Sequence, residues 1–165
     1  MTSALIARSL PMNETGFLTL GETQESIELW DGNLIVGPRP SPRHQIVLRA
    51  LATALAAEHT GLNVLTGVVM RLDPDKVVIP DLIVAGAVDL DEVVVDSQSV
   101  GLVCEVISPN TEAVDWVMKR QYYAAAGIPW YLLVDQQTGA RHLYQLTGDH
   151  YTEHSMTPGV QYSTT

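Results

Sequence analysis

The most constraining feature of this sequence is an apolar run, residues 102–107, that contains a single charged side chain, Glu105. Such a run is typical of a central strand that is covered on both faces of a sheet. Side chains alternate along a strand, so Glu105 faces the side opposite to Cys104 and Val106. A buried ionised carboxylate is costly unless it meets a cation or takes up a proton. Glu105 is therefore part of a structural salt bridge, a residue at a sheet edge, or a functional group.

The first half of the chain predicts a hairpin followed by a helix. Residues 27–30 and 33–36 flank an Asp-Gly pair, which favours tight hairpin turns. Ser41 and Pro42 suit the N-cap and the first position of a helix that extends over about residues 44–59. Apolar residues recur there at helical spacing and predict the face that packs on the sheet, namely Val47, Ala50, Leu51, Ala54 and Leu55.

The second half predicts further strands around one helix. Short β-rich runs occur at residues 63–65, 68–72, 77–79, 82–85, 140–146 and 150–154. The acidic stretch 89–99 predicts a loop with solvated carboxylates at Asp89, Asp91, Glu92 and Asp96. A helix over about residues 111–126 separates the strand at 102–107 from another apolar run at 130–134. This order predicts one strand–helix–strand crossover.

The complete pattern predicts an α/β domain with a central mixed β-sheet flanked by helices. We expect this single domain to cover residues 23–165, after an N-terminal arm at residues 1–22. The lone cysteine excludes an internal disulfide, and the chain shows no apolar stretch long enough to cross a membrane and no secretory signal. We therefore expect a cytoplasmic protein.

The charge balance argues against binding to nucleic acid. Nine Lys and Arg residues stand against nineteen Asp and Glu residues, a formal net charge of −10. Affinity for DNA comes largely from basic side chains that neutralise phosphates. A nucleic-acid substrate would therefore require a local basic patch, bound metal ions or a partner.

Asp81 and Lys119 could join Glu105 in a functional group. Asp81 follows Pro80 within a β-rich run, and if its strand neighbours that of Glu105, the two carboxylates meet. At about 4 Å they repel by roughly 4 kcal/mol at an effective dielectric constant near 20, so the pair requires a shared proton or a divalent cation such as Mg²⁺. Asp115 and Lys119 share a helix face beside that point. The alternatives are a turn aspartate for Asp81 and an exposed ion pair on the helix.

Several segments together resemble one protein family. They are Pro80-Asp81, the EVISPNT segment at 105–111, Asp115, Lys119, and YYAAAGIPWYLLVD at 122–135, with ELWDG at 28–32 and SPRH at 41–44. In this combination the chain resembles, from about residue 27 to 151, the Uma-two family of bacterial proteins. That family is placed in the PD-(D/E)XK restriction-endonuclease-like superfamily. The resemblance implies a restriction-endonuclease-like fold.

The resemblance also implies roles for individual residues. Asp81 corresponds to the aspartate of the PD element, and Glu105 to the acidic residue of the second element. The superfamily's lysine normally follows two residues later, where this chain has Ile107; in the family it matches Lys119 on the next helix. Asp115 would orient Lys119 or support the metal shell.

For the metal, the resemblance implies one or two Mg²⁺ or Mn²⁺ ions held by Asp81, Glu105 and the main-chain carbonyl of Val106. Glu28 is a further candidate metal ligand, and its alternative is an exposed strand glutamate. Arg39, Arg43 and His44 are candidate contacts to phosphate, and the alternative is that they are ordinary surface or packing residues.

The expected function is metal-dependent endonuclease hydrolysis of nucleic-acid phosphodiester bonds, with DNA as the expected substrate and a homodimer as the expected assembly. Two alternatives stay open. One is a catalytically inactive nuclease fold that serves as a binding or interaction module, which the acidic charge favours. The other is a hydrolase of a small phosphorylated molecule.

Overall fold

The computed structural model describes residues 6–7, 11–21, 23, 25–108 and 115–154, without the side chains of Ile6, Ala7 and Asp115. The described residues form three α-helices, which are α1 Glu14–Leu18, α2 Pro42–Glu58 and α3 Asp115–Ala125. They also form twelve strands: β1 Ile6–Ala7, β2 Ser26–Trp30, β3 Asn33–Gly37, β4 Asn63–Thr66, β5 Val69–Asp73, β6 Lys76–Val78, β7 Leu82–Ala85, β8 Val94–Asp96, β9 Val100–Ile107, β10 Trp130–Asp135, β11 Arg141–Thr147 and β12 His150–His154.

The described strands form two six-stranded mixed sheets. The first has the order β1-β3-β2-β6-β5-β8, and the second has the order β12-β11-β10-β9-β7-β4. The α/β class is thus confirmed, with the strands divided between two sheets instead of one central sheet. The chain passes between the sheets several times, and one of these crossings is at Ile79-Pro80-Asp81, between β6 of the first sheet and β7 of the second. Proline cannot donate a ladder hydrogen bond, so strand pairing ends at Pro80 and the chain passes from one sheet to the other.

Strand β9 lies in the interior of the second sheet, as its apolar sequence predicts. It pairs in parallel with β10, with Glu105 opposite Leu133, and antiparallel with β7, with Cys104 opposite Leu82. Helix α3 connects β9 to β10, which gives the predicted strand–helix–strand unit. The first residues predicted for this helix, 111–114, and Pro109 and Asn110 before them lie outside the described residues.

Helix α2 covers one face of the second sheet, and Ser41 caps it by accepting a hydrogen bond from the backbone N–H of His44. The buried residues of the helix are Leu48, Leu51 and Leu55, which pack against the face that carries Cys104. The sequence analysis was wrong for two positions of this face, Ala50 and Ala54, which are exposed. Leucine side chains bury more apolar area than alanine, so the three leucines determine how the helix is rotated.

The opposite face of β9 packs in a second core, which lies between the two sheets. Val103 and Tyr131 of the second sheet pack there with Trp30 and Met70 of the first, and α3 contributes Tyr123. This arrangement places Glu105, which alternates with Cys104 along β9, on the face toward the first sheet and α3. The side of β9 that carries the carboxylate is therefore enclosed by both elements.

The acidic stretch 89–99 is only partly a loop. It contains strand β8, which pairs in parallel with β5, and a 3₁₀-helix at Ser97–Ser99. The prediction overlooked the β-branched run before Asp96, whose last residue, Val95, is buried. Asp96 is half-buried: it caps the 3₁₀-helix and lies 3.6 Å from Arg71. The other three carboxylates, Asp89, Asp91 and Glu92, are exposed as predicted.

Part of the predicted N-terminal arm lies against the first sheet. Strand β1 pairs with β3, and α1 buries Phe17 against Leu29 and Val77. Arg71 and Glu14 form an ion pair that joins α1 to β5. Among the described residues, none of the helices has the length and apolar character required to span a membrane.

Candidate functional site

Glu105 is buried where β9 faces the first sheet. Its Oε1 accepts a hydrogen bond of 2.5 Å from the Tyr123 hydroxyl and lies 3.2 Å from Nζ of Lys119. Burial raises the pKa of Glu105 to about 7; the Lys119 ammonium opposes this shift, and the charges of Asp81 and Glu28 add to it. Glu105 therefore lies where burial disfavours its charged form, and a nearby cation favours that form.

Lys119 lies between two carboxylates. Its Nζ is 3.1 Å from Oε1 of Glu28 and 3.2 Å from Oε1 of Glu105, and only 12% of its side chain is exposed. Burial lowers the pKa of Lys119, but Glu105, Glu28 and Asp81 outweigh that effect and raise the pKa above its ordinary value. Lys119 therefore remains an ammonium. This favours a role as a fixed positive charge over a role as a general base.

Asp81 lies at one of the points where the chain crosses between the sheets. Its Oδ2 accepts a hydrogen bond of 2.8 Å from the backbone N–H of Val106. Because Leu82 is opposite Cys104 in the antiparallel β7–β9 ladder, Asp81 comes beside Glu105. The N–H and C=O of a strand residue point to the same side of the strand, so the carbonyl of Val106 also lies on the Asp81 side. The two strands are thus neighbours, and the charge of Asp81 acts on Glu105.

His44 approaches Asp81 from the other face of the sheet. It lies in the first turn of α2, and its Nε2 is 3.0 Å from Oδ2 of Asp81. The hydrogen bond to Asp81 raises the pKa of His44; partial burial opposes this, and the charges of Asp81 and Glu105 reinforce it. Its Nδ1 is buried and has no hydrogen-bond partner among the described residues. The sequence analysis considered His44 as a phosphate contact or as an ordinary surface or packing residue, and did not foresee this contact.

The pairing predicts the titration of His44. We expect NMR titration of the ring protons in a metal-free buffer to give a pKa above that of a free histidine, and Asp81→Asn to lower it. The pair stabilises the fold while His44 is protonated, and this contribution is lost as pH rises through the pKa of His44 in the folded protein. Glu153→Gln, next to the exposed His142, is the control and should leave the His44 curve unchanged. An unchanged His44 pKa in Asp81→Asn would contradict the pairing.

Glu28 is buried, so the exposed alternative for it is wrong. Its Oε1 accepts from the backbone N–H of Ile79 at 2.8 Å and contacts Lys119, while its Oε2 accepts from the indole N–H of Trp30 at 2.9 Å. These contacts link β2 both to α3 and to the segment that leads into Asp81.

The remaining candidate residues lie outside this group or outside the described side chains. Arg39 and Arg43 are exposed around the start of α2, and within the described residues neither forms an ion pair. Asp115 begins α3, but its side chain is not among those described. The sequence analysis gave Tyr123 no role in the site and missed its hydroxyl contact with Glu105. Its spacing of four residues from Lys119 on the same helix face was the available signal.

Comparison with known proteins identifies the family and the fold. The sequence profile of the Uma2 family, described as "Putative restriction endonuclease", matches residues 15–164. The chain belongs to the Uma2 family. A crystal structure of "a putative nuclease belonging to DUF820 from Anabaena variabilis ATCC 29413" has a similar fold, with a TM-score of 0.68 and 16% sequence identity, covering 87% of this chain and 84% of that chain. A search among curated proteins gives no match.

Restriction-endonuclease-like proteins generally use divalent metal ions. Among the residues described for this Uma2 member, no group of three or more His, Cys, Asp or Glu side chains could hold a metal ion. Asp81 and Glu105 with the carbonyl of Val106 are instead a small, all-oxygen donor set. This set suits Mg²⁺, which binds through one or two carboxylates and keeps several waters, and it is too small for a closed zinc or calcium site. The raised pKa of Glu105 also fits a position where a cation would complete the charge balance.

Proposed function

We propose that this protein is a metal-dependent endonuclease that hydrolyses phosphodiester bonds of nucleic acid. The observation that supports this most is the meeting of Asp81, Glu105 and Lys119 at one end of β9, although they come from three separate segments of the chain. Two carboxylates and an ammonium at one point are the groups that metal-assisted phosphodiester hydrolysis requires. Membership of a family described as a restriction endonuclease supports the same reaction and implies a nucleic-acid substrate.

In this proposal Asp81, Glu105 and the Val106 carbonyl hold Mg²⁺ or Mn²⁺. When bound there, such a cation would supply Lewis-acid chemistry that polarises the scissile phosphate and lowers the pKa of a coordinated water. Asp81 is kept in place by the Val106 N–H and by His44, and Glu105 by Tyr123. Lys119 supplies a fixed positive charge next to Glu105, where it stabilises the negative charge that develops on the phosphate in the transition state.

We place the sugar-phosphate backbone of the substrate at the surface around the start of α2. Arg39 and Arg43 are exposed there, and His44 continues from them to Asp81. The first backbone N–H groups of a helix favour anions, and this helix of 17 residues begins at that point. A local positive surface of this kind would allow phosphate binding despite the net charge of −10, because phosphate contacts depend on the charge near the site.

The test is a cleavage assay on the purified protein. We expect Mg²⁺ or Mn²⁺ to support cleavage of supercoiled and linear duplex DNA, and EDTA to abolish it. Parallel reactions with single-stranded DNA, RNA and a small phosphodiester, bis(p-nitrophenyl) phosphate, define the substrate class. Binding of DNA without cleavage of any substrate would support an inactive binding module. Turnover of the small phosphodiester alone would support the small-molecule hydrolase.

We also infer that cleavage of both strands uses a homodimer, because two-fold dimers present two equivalent sites to the antiparallel strands of a duplex. Sedimentation of the protein with and without duplex DNA measures this. A monomer that cuts both strands would contradict the inference.

A further inference from the structure

The carboxylate of Glu28 is occupied by donors from three parts of the fold. Oε1 accepts the Ile79 N–H at 2.8 Å and contacts Nζ of Lys119 at 3.1 Å, so two donors already share that oxygen. Oε2 accepts the Trp30 indole N–H at 2.9 Å. Each carboxylate oxygen has about two acceptor positions, and those of Oε1 are filled. Glu28 is therefore held in place and has little capacity left for a metal ion.

We propose that Glu28 is a positioning residue that holds the ammonium of Lys119 beside Glu105, and that it is not a metal ligand. Its contact with Lys119 is as short as that of Glu105, at 3.1 Å against 3.2 Å. Glu28 lies on β2 of the first sheet and Glu105 on β9 of the second, so the ammonium bridges the two sheets.

This arrangement has a consequence for catalysis, and that consequence rests on the proposed function. A metal ion bound to Glu105 would share the charge of that carboxylate and weaken its hold on Lys119. Glu28 keeps its own full charge for the ammonium, because its other donors are a neutral backbone N–H and a neutral indole. Lys119 can then remain near the metal without competing for Glu105. The Ile79 contact also places this anchor two residues before Asp81.

The chain has only two lysines, Lys76 and Lys119, so protein labelled with ¹⁵N-lysine gives two side-chain ammonium signals. We expect a slowly exchanging signal from Lys119 in the metal-free wild-type protein, assigned by its loss in Lys119→Arg. In Glu28→Gln, hydrogen exchange of this ammonium should become at least tenfold faster. Trp30→Phe removes a neutral donor to the same carboxylate and should leave the exchange within twofold of wild type. Lys76, whose partners are Asp31 and Asp73, is the internal reference.

Two results in this experiment would overturn the positioning role. One is exchange of Lys119 in Glu28→Gln that stays within twofold of wild type, which would mean that Glu105 alone holds the ammonium. The other is the absence of a protected Lys119 signal in the wild-type protein. Circular dichroism and the Lys76 signal report the fold of each variant. If Glu28→Gln does not fold, Glu28→Asp is used in its place. Aspartate keeps the charge on a side chain that is one methylene shorter, and we expect the same loss of protection of the Lys119 ammonium.

Metal binding and cleavage give the second measurement. In calorimetric titrations with Mn²⁺, Glu28→Gln should bind within twofold of wild type, whereas Glu105→Gln should bind at least tenfold more weakly. Weaker Mn²⁺ binding by tenfold in Glu28→Gln would overturn the proposal and make Glu28 a ligand. In cleavage assays, we expect the kcat of Glu28→Gln to be at least tenfold below that of the wild-type protein, with KM unchanged. If the wild-type protein cleaves nothing, the proposed function fails, while the ammonium exchange and Mn²⁺ titrations still decide the role of Glu28.

Discussion

Glu105→Gln should reduce Mg²⁺- or Mn²⁺-dependent cleavage of duplex DNA by about a thousandfold, which corresponds to about 4 kcal/mol of transition-state stabilisation. Glutamine has nearly the shape of glutamate but no negative charge, so it binds a divalent cation poorly. It also removes the charge that holds Lys119 from the β9 side. A bound metal contributes several kcal/mol to such a reaction, and the expected loss is of that size.

Single-turnover rates at saturating metal and DNA measure this effect, with the fold of each variant checked by circular dichroism. Glu92→Gln makes the same chemical change at an exposed position and is the matched control; it should retain the wild-type rate. Retention of more than a tenth of the wild-type rate in Glu105→Gln would exclude Glu105 from the mechanism. If the rate returns at higher Mn²⁺ concentration, the loss lies in metal affinity instead of in the chemical step.

The sequence predicts those elements whose patterns are local and strong. The hairpin of β2 and β3, the capped helix α2 and the interior strand β9 all appear where the pattern placed them. The sequence predicts that Asp81 and Glu105 are neighbours only if β7 pairs with β9, and it does not predict that pairing. Strand pairing joins residues that are distant in sequence, and periodicity within one strand carries no information about its partner.

Contacts between side chains from different elements were not predictable in this way. His44 reaches Asp81 because α2 packs across the β7–β9 end of the sheet, and its position depends on three buried leucines. Glu28 gave no signal of burial, because a glutamate next to apolar residues on a two-stranded hairpin is ordinarily solvated on one face. Its burial requires α3 to lie beside β2, where Lys119 contacts Glu28 and Tyr122 packs on Trp30. These contacts depend on tertiary packing, and local pattern does not specify them.

The second large effect is on stability. Lys119→Met should lower the free energy of unfolding by about 4 kcal/mol at pH 8.5, because removal of one partner leaves uncompensated buried charge. Glu28 and Glu105 would then lie close together without the ammonium between them. Lys76→Met is the matched control. The partners of Lys76, Asp31 and Asp73, are more exposed, so the loss should be about 1 kcal/mol at most.

The loss in Lys119→Met should also depend on pH. With Lys119 present the pKa of Glu105 is already about 7, and without the ammonium it rises further. A carboxyl group whose pKa is raised by folding binds its proton more tightly in the folded state, so stability declines as pH rises from the unfolded value of about 4.3 through the folded one. Urea unfolding at pH 5.5 should therefore show a smaller difference between variant and wild type than at pH 8.5, because Glu105 is protonated in the variant at the lower pH. Equal losses at the two pH values, or equal losses in Lys119→Met and Lys76→Met, would show that Lys119 does not neutralise a buried pair of carboxylates.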